Sequence, residues 1–273
     1  MRKLWLINDL GEEYRFDYSS MTLISSITGL GFQKTNTYFD FDNIYKKIDE
    51  TIPTQDIVFN LAFLRKYQGF KRFLSFLETS HELKLYYTSD DTKYSYVEIE
   101  SLSKTEISGG TLTSELKLKR LSYWYKDVIS EVTISVSKEG KIYPFTYPYK
   151  YSVSSKGKMT LTNKGYAKAP LKITIKGEVS NPEVIVTKDG IEVSKLKIYY
   201  ESNNCTIVVD AFPSRQVITI EENNEKINAY EYQDFSCDNF IFLDRGTYEL
   251  TFVPNTQGSP SCSITMIEGY LGN

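Results

Sequence analysis

Alternation of apolar and polar positions runs through most of the chain. In the second half, Leu171, Ile173 and Ile175 alternate with Lys172, Thr174 and Lys176, the period of a half-buried strand. Asn163-Lys164-Gly165 predicts a turn before it, and Pro170 stands at its start. Gly177 predicts its end, and Asn181-Pro182 another turn. By pattern alone this stretch is a β edge leading into a sandwich. The strands expected after it cover Val184 to Thr187, Ile191 to Tyr200, Cys205 to Asp210, Val217 to Ile220, Phe240 to Leu243, Tyr248 to Phe252 and Ser263 to Ile267. Turn signals separate them: Lys188-Asp189-Gly190, Glu201 to Asn204, Glu221 to Glu225 and Asp244-Arg245-Gly246. Short alternating strands between frequent turns predict a β-sandwich.

The first half is also mainly strands. Leu4 to Asn8 and Tyr14 to Phe16 flank a turn and predict an opening hairpin. Met21 to Ile27, Ile57 to Leu64, Leu83 to Tyr87 and Tyr94 to Ile99 are further strands. One helix is expected: Phe70, Phe73, Leu74 and Leu77 fall at i, i+3, i+4 and i+7. That stripe suits packing on a sheet and would also suit a partner helix. Leu112, Leu116 and Leu118 hold even positions, but Leu121, Tyr123 and Tyr125 hold odd ones, which predicts a bulge near Arg120. Lys34 to Pro53, with Tyr38, Phe39 and Phe41 among acids, breaks from the sheet pattern. Such long excursions are contact arms or functional loops. Tyr143 to Tyr149 interleaves aromatics with two prolines and suggests a semi-stiff connector. These features place a domain boundary at about Gly140, giving domains 1–140 and 141–273.

Composition sharpens this picture. The chain has 273 residues, of which 22 are Tyr and 15 Phe, and aromatic enrichment favours strands. A net charge of −3 argues against broad affinity for nucleic acid or anionic membranes. Lys104, Lys117, Lys119, Arg120 and Lys126 read as the solvated face of strands. The apolar run at the N-terminus is too short for a signal peptide, and no run reaches membrane-spanning length. Cys205, Cys237 and Cys262 fit neither a disulfide framework nor a metal motif, and Cys205 is in phase with Ile207 and Val209 as a core side chain.

Candidate chemistry is thin. His81 is the only histidine, so Ser and Cys nucleophiles lack a ready base. Gly29-Leu30-Gly31 could begin a phosphate cradle, but Lys34 stands where the third glycine would be, and a bend between strands explains it. Asp40/Asp42, Glu98/Glu100 and Glu221/Glu222 are paired acids; Glu98 and Glu100 share a strand face, where a solvated role is the default. No catalytic, cofactor-binding or metal-binding residue is assigned, and no cofactor is expected. Tyr199, Tyr200, Tyr230 and Tyr232 could stack on sugars. The alternative function is therefore a carbohydrate-binding module engaging cell-surface glycans.

The order of features resembles the distal tail protein (Dit) family of siphophages. The resemblance rests on Thr162 to Gly165, Ala169-Pro170, Ile173 to Gly177, Ser180 to Pro182, Ile207 to Asp210, Phe240 to Gly246 and Leu250 to Phe252. In the first half it rests on Ile7-Asn8 with Gly11, Gly29 to Gly31, the helix with Leu83 to Tyr87, and Leu121 to Tyr125. Lys164 and Arg245 stand where the family often has proline. The resemblance implies a mainly β protein with one helix in its first domain. An N-terminal ring-forming, β-sandwich-like domain would precede a galectin-like C-terminal sandwich. It implies a non-enzymatic virion protein of the tail tip, assembled in the host cytoplasm. Its ring, usually a hexamer, would join the tail-tube protein to the tail-associated lysin or hub protein, with a channel through which DNA passes unbound and no membrane partner. The C-terminal domain can dock receptor-binding proteins. Lys34–Pro53 would be the arm lying on a neighbouring protomer.

Overall fold

Strand follows strand along the chain, interrupted by a single α-helix among the described residues. The computed structural model describes residues 2–132, 134–135, 156–256, 258 and 260–273. Contacts divide the chain into two units, Met1–Lys126 with Tyr270–Asn273, and Asp127–Gly269. The expected boundary at Gly140 and the Tyr143 to Tyr149 connector lie outside the described residues.

The first unit opens with β1 (Lys3–Asn8) and β2 (Glu13–Arg15), then β3 (Thr22–Thr28), β4 (Thr35–Phe41), β5 (Ile44–Thr51) and β6 (Gln55–Phe63). Helix α1 (Lys66–Glu78) precedes β7 (Leu83–Thr88), β8 (Thr92–Leu102), β9 (Leu112–Arg120) and the start of β10 (Trp124–Val132). Seven strands form an antiparallel sheet in the order β2-β1-β7-β8-β9-β6-β3. Alternate residues point inward: Leu4 and Leu6, Ile57 through Phe63, Leu83 through Tyr87, and Leu112, Leu116 and Leu118. Residues from both ends of the sheet share one core with α1. Phe16, just after β2, lies 5.4 Å from the Phe59 ring of β6, and Tyr14 lies 4.7 Å from Phe73 of the helix.

Two expectations change here. The helix buries Gly69, Phe73, Phe76 and Leu77, while Leu74 is exposed, so its apolar face is turned relative to the Phe70–Leu77 stripe. Gly69 faces Phe63, where a Cβ would come to 3.4 Å, and this close approach selects the buried side. Strand β9 carries no bulge at Arg120; the register shift of its pairing lies on β8, between Ile99 and Ser101, opposite Leu118 and Lys117. Strand β9 ends at Arg120, and β10 begins at Trp124, a fully buried even position. The inward parity is kept; Leu121 is exposed, and Tyr123 and Tyr125 are half-buried beside the break.

The second unit holds β11 (Ile134–Ser135), β12 (Lys156–Asn163), β13 (Ala169–Ser180), β14 (Glu183–Lys188), β15 (Ile191–Lys197) and β16 (Glu201–Asp210). It continues with β17 (Val217–Glu222), β18 (Glu225–Asn228), β19 (Phe242–Leu243), β20 (Gly246–Val253) and β21 (Ser261–Tyr270). One sheet runs β18-β17-β16-β13-β21 and the other β11-β12-β20-β14-β15. Their inner faces make one core from Ile173, Ile175, Ile207, Val209, Ile218, Val184, Val186, Leu250 and Phe252, among others. This is the sandwich the alternation predicts.

The predicted β edge is instead a central strand: β13 pairs with β16 on one side and β21 on the other. Both its neighbours come from later in the chain, which local pattern cannot reveal. Gly177 does not end it either. A register shift between Gly177 and Val179 carries the strand to Ser180. Gly177 holds φ +114, and a Cβ there would come to 3.2 Å of Pro260, so glycine suits this bulge on both counts. Glu201 to Asn204 belongs to β16 rather than to a turn, because it pairs with the end of β13 beyond that bulge. Strand β19 is only Phe242–Leu243, although Ile241 is buried beside it.

Candidate functional site

The feature that the sheet pattern leaves over is the Lys34–Pro53 excursion. It is a regular β-hairpin: β4 and β5 pair from Thr35↔Thr51 to Phe41↔Ile44 and form a two-stranded sheet of their own. Asp42 and Asn43 make the turn with φ +50 and +67, the left-handed pair of a two-residue hairpin loop. Asn43 donates its N–H to Asp40 Oδ1 at 3.0 Å. At the base, Glu50 accepts from Lys34 at 2.5 Å and from Lys47 at 2.6 Å. Sequence reasoning found the excursion but not its strands, since the bulge at Thr37/Tyr38 breaks its period-two alternation.

Its surface is the notable property. Tyr38, Phe39, Phe41, Ile44, Tyr45 and Ile48 are all exposed, with Phe41, Ile44 and Tyr45 at 68, 70 and 71%. The register puts Phe39 and Phe41 on one face with Ile44, and Tyr38 on the other face with Tyr45. Both faces therefore carry bare aromatic side chains. A lone two-stranded hairpin is marginally stable in water. Contiguous exposed apolar surface of this kind marks an interaction site.

The other candidates are occupied by structural work. Glu100 and Asp56 interleave with Lys117 and Lys119 across β8, β9 and β6, with contacts from 2.5 to 3.8 Å. Hydrogen bonds from Lys119 and then Lys117 hold the Asp56 carboxyl below its usual range. Arg120 departs from the expected solvated face: it is buried at 3% exposure and donates from Nη1 to the Gly31 and Leu271 carbonyls. Lys126 pairs with Asp91. The backbone N–H of His81 donates to Asp9 Oδ1 at 2.9 Å, just past the helix. Gly29 is a close-packing position, where a Cβ would overlap the Asp56 carbonyl.

In the second unit, Tyr200 donates to Glu222 and Tyr230 to the Gln216 carbonyl. Glu222 pushes the Tyr200 hydroxyl up to about 12. Tyr200 and Tyr232 meet edge to face at 5.3 Å and pack on the core, and Tyr199 is tied to Asp234. Of these four tyrosines Tyr199 is exposed, and Tyr200, Tyr230 and Tyr232 are half-buried. The three cysteines are free thiols, and Cys205 is buried in phase with Ile207 and Val209, as expected. Among the described residues no cluster of His, Cys, Asp and Glu could hold a metal ion, and no helix is long and apolar enough to cross a membrane.

Comparison with known proteins bears on these observations. The family described as distal tail protein, N-terminal domain, matches residues 3–121. The whole chain superposes on a chain of the phage P2 baseplate in its activated conformation with calcium (TM-score 0.69, 15% identity, all of both chains). It also superposes on the SPP1 Dit protein, described as a hub of the adsorption apparatus in phages infecting Gram-positive bacteria (TM-score 0.61, 13% identity). There 96% of this chain and 98% of that one are covered. Among curated protein sequences none matches significantly.

Proposed function

We propose that the chain is a distal tail protein of a phage tail or baseplate, since its residues 3–121 match the N-terminal domain of that family, and that it builds a ring in which the β4–β5 hairpin is the arm that grips a neighbouring copy. The observation that carries this reading is the hairpin: six large apolar side chains exposed on a two-stranded element outside both cores. Burying such side chains stabilises an interface by about 25 cal/mol per Å² of apolar area removed from water. An arm on one surface and its acceptor on another form a head-to-tail contact, which closes into a ring when the rotation permits. A hexamer is the expected closure.

In this reading the ring joins the tail-tube protein to the tail-associated lysin or hub protein at the tail tip. The second unit's sandwich offers outward surfaces on which receptor-binding proteins dock. DNA passes through the central channel. Phosphate backbones bind strongly only where cations neutralise them, and the net charge of −3 is compatible with passage without retention.

Light scattering on the purified full-length chain tests the ring; a sixfold mass is expected, and a monomer at every concentration would refute it. Replacing residues 34–53 with two glycines tests the arm. Thr35 and Thr51 face each other across the ladder, so a short link closes the gap. Assembly should be lost while the melting transition of the remaining protein persists. An oligomer that survives this deletion removes the arm assignment.

A further inference from the structure

We propose that Tyr270–Asn273 is a clip that sets the root of the β4–β5 hairpin, with Arg120 at its centre, so that the hairpin is firmly held only in chains whose second unit has folded. This inference rests on the arm reading above and says what makes the arm competent.

The hairpin rises from two legs. Residues 29–34 lead into β4, and residues 52–54 lead from β5 into β6. A two-stranded hairpin with no further sheet to join is marginal in water, so whatever holds its legs decides how well it is ordered. Below the hairpin, Thr28 pairs with Val58. Gly29 lies so close to Asp56 that a Cβ would overlap its carbonyl. Arg120 pairs with Gln55 in the β6–β9 ladder, beside one leg, and its Nη1 donates to the Gly31 carbonyl of the other at 2.7 Å. Arg120 is thus a positioning residue that joins the two legs.

The clip completes this root. The chain leaves the first unit after Lys126 and rejoins it at Tyr270. Tyr270 and Leu30 both pack on the first unit's core. Arg120 Nη1 also donates to the Leu271 carbonyl, at 3.4 Å. A Cβ on Gly272 would meet Gly31 Cα at 3.5 Å, so the two backbones lie side by side. The Asn273 N–H donates to the Leu30 carbonyl at 3.2 Å. Asn273 Nδ2 donates to the Tyr87 carbonyl at 3.3 Å, and Lys93 Nζ to Asn273 Oδ1 at 3.3 Å. Lys93 Nζ also stands 4.8 Å from the centre of the Tyr270 ring. Residues 270–273 therefore tie the leg that enters β4 to Arg120, β7 and β8. Without them Arg120, buried at 3% exposure, keeps one of its two carbonyl partners. A buried donor left unmatched is costly, so the root must shift or admit water.

The clip is delivered by β21, which pairs with β13, the central strand of the sandwich sheet. Residues 270–273 reach the root only once that strand is in place. A chain with an unfinished sandwich carries an unclipped arm, and assembly through the arm waits for complete protomers.

Hydrogen exchange on the dilute, unassembled full-length chain tests the clip, with light scattering at assembling concentrations alongside. Deleting Leu271–Asn273 should speed exchange of the 35–51 hairpin amides about tenfold, the effect of one lost hydrogen bond at the root, while the β6–β9 ladder keeps its wild-type rate. Assembly should weaken with it. Asn273→Ala removes only the two side-chain bonds and should give the same pattern to a smaller degree. Unchanged hairpin exchange in both variants overturns the clip. So does a rise of equal size in the hairpin and in the β6–β9 ladder, which would make residues 270–273 general support for the fold. Faster hairpin exchange with undiminished assembly keeps the clip and sinks the arm reading instead. Ile264→Ala, fully buried in β21, tests the link to the second unit. The hairpin amides should then exchange faster in step with those of β13; hairpin exchange that ignores the weakened sandwich would break that link.

Discussion

Three hairpins in this chain turn on the same local chemistry and meet different fates. Asp42-Asn43, Asp189-Gly190 and Asn223-Asn224 all place both central residues at positive φ, between +50 and +80. Each closes a pair of antiparallel strands. In the second unit, β14 and β17 bury Val184, Val186, Ile218 and Ile220 in the sandwich. In the first, β4 and β5 bury almost nothing and leave their aromatics in water. Turn chemistry is enough to make a hairpin. What the hairpin is for depends on whether its own chain offers a sheet to join.

The largest effect separating the two kinds should come from side-chain truncation. Leu250→Ala, fully buried opposite β12 and β14, should destabilise the folded chain by about 2–5 kcal/mol. Phe41→Ala should change the melt of dilute, unassembled protein by no more than about 0.5 kcal/mol, and should weaken the proposed assembly. Equal losses in the melt would mean that the hairpin is packed within its own chain. Next in size is a matched pair of turn substitutions. Valine at Asn43 or Asn224 is forced into a left-handed conformation that costs about 1–2 kcal/mol. Asn224→Val should lower the melting temperature, since β17 and β18 belong to the core sheet. Asn43→Val should leave the melt unchanged and appear only as lost assembly. A lowered melt from Asn43→Val would erase the distinction.

The smallest expected effect is a pH dependence in the second unit. The Ser236 hydroxyl, the Ser236 N–H and the Tyr199 hydroxyl hold the Asp234 carboxyl down at about 2. A carboxylate whose folded pKa is depressed contributes stability above its ordinary range, near 3.8, and that contribution is lost as pH falls toward 2. Wild type should therefore exceed Asp234→Asn in stability at pH 6, and the gap should close by about pH 2. A gap independent of pH would show that the carboxylate's charge plays no part.

Much of the fold was legible because burial alternates with period two. Leu171, Ile173 and Ile175, then Tyr248, Leu250 and Phe252, are apolar in the sequence and buried in the sandwich. The helix was legible as a helix but not in its facing, because Gly69 and Phe76 are chosen by the shape of Phe63 and the core beneath. The parity change after Arg120 misled, since a strand break and a bulge leave the same mark on an alternating pattern. The 34–53 excursion was visible as a departure from the sheet pattern, and its strands were hidden by the bulge at Thr37/Tyr38.

The sequence alone determined most of the strands, the left-handed turns at Asp189-Gly190 and Asn223-Asn224, and the sandwich class, because these follow from the order of side chains within a few residues. Tertiary structure decided what depends on residues far apart. It made β13 a central strand between β16 and β21, and it buried Arg120 against the Gly31 and Leu271 carbonyls. It also left Tyr38 to Ile48 in solvent, although the same residue types elsewhere are core. Hydrophobicity states that a side chain gains by leaving water; only the folded chain shows which side chains found a partner at home and which still lack one.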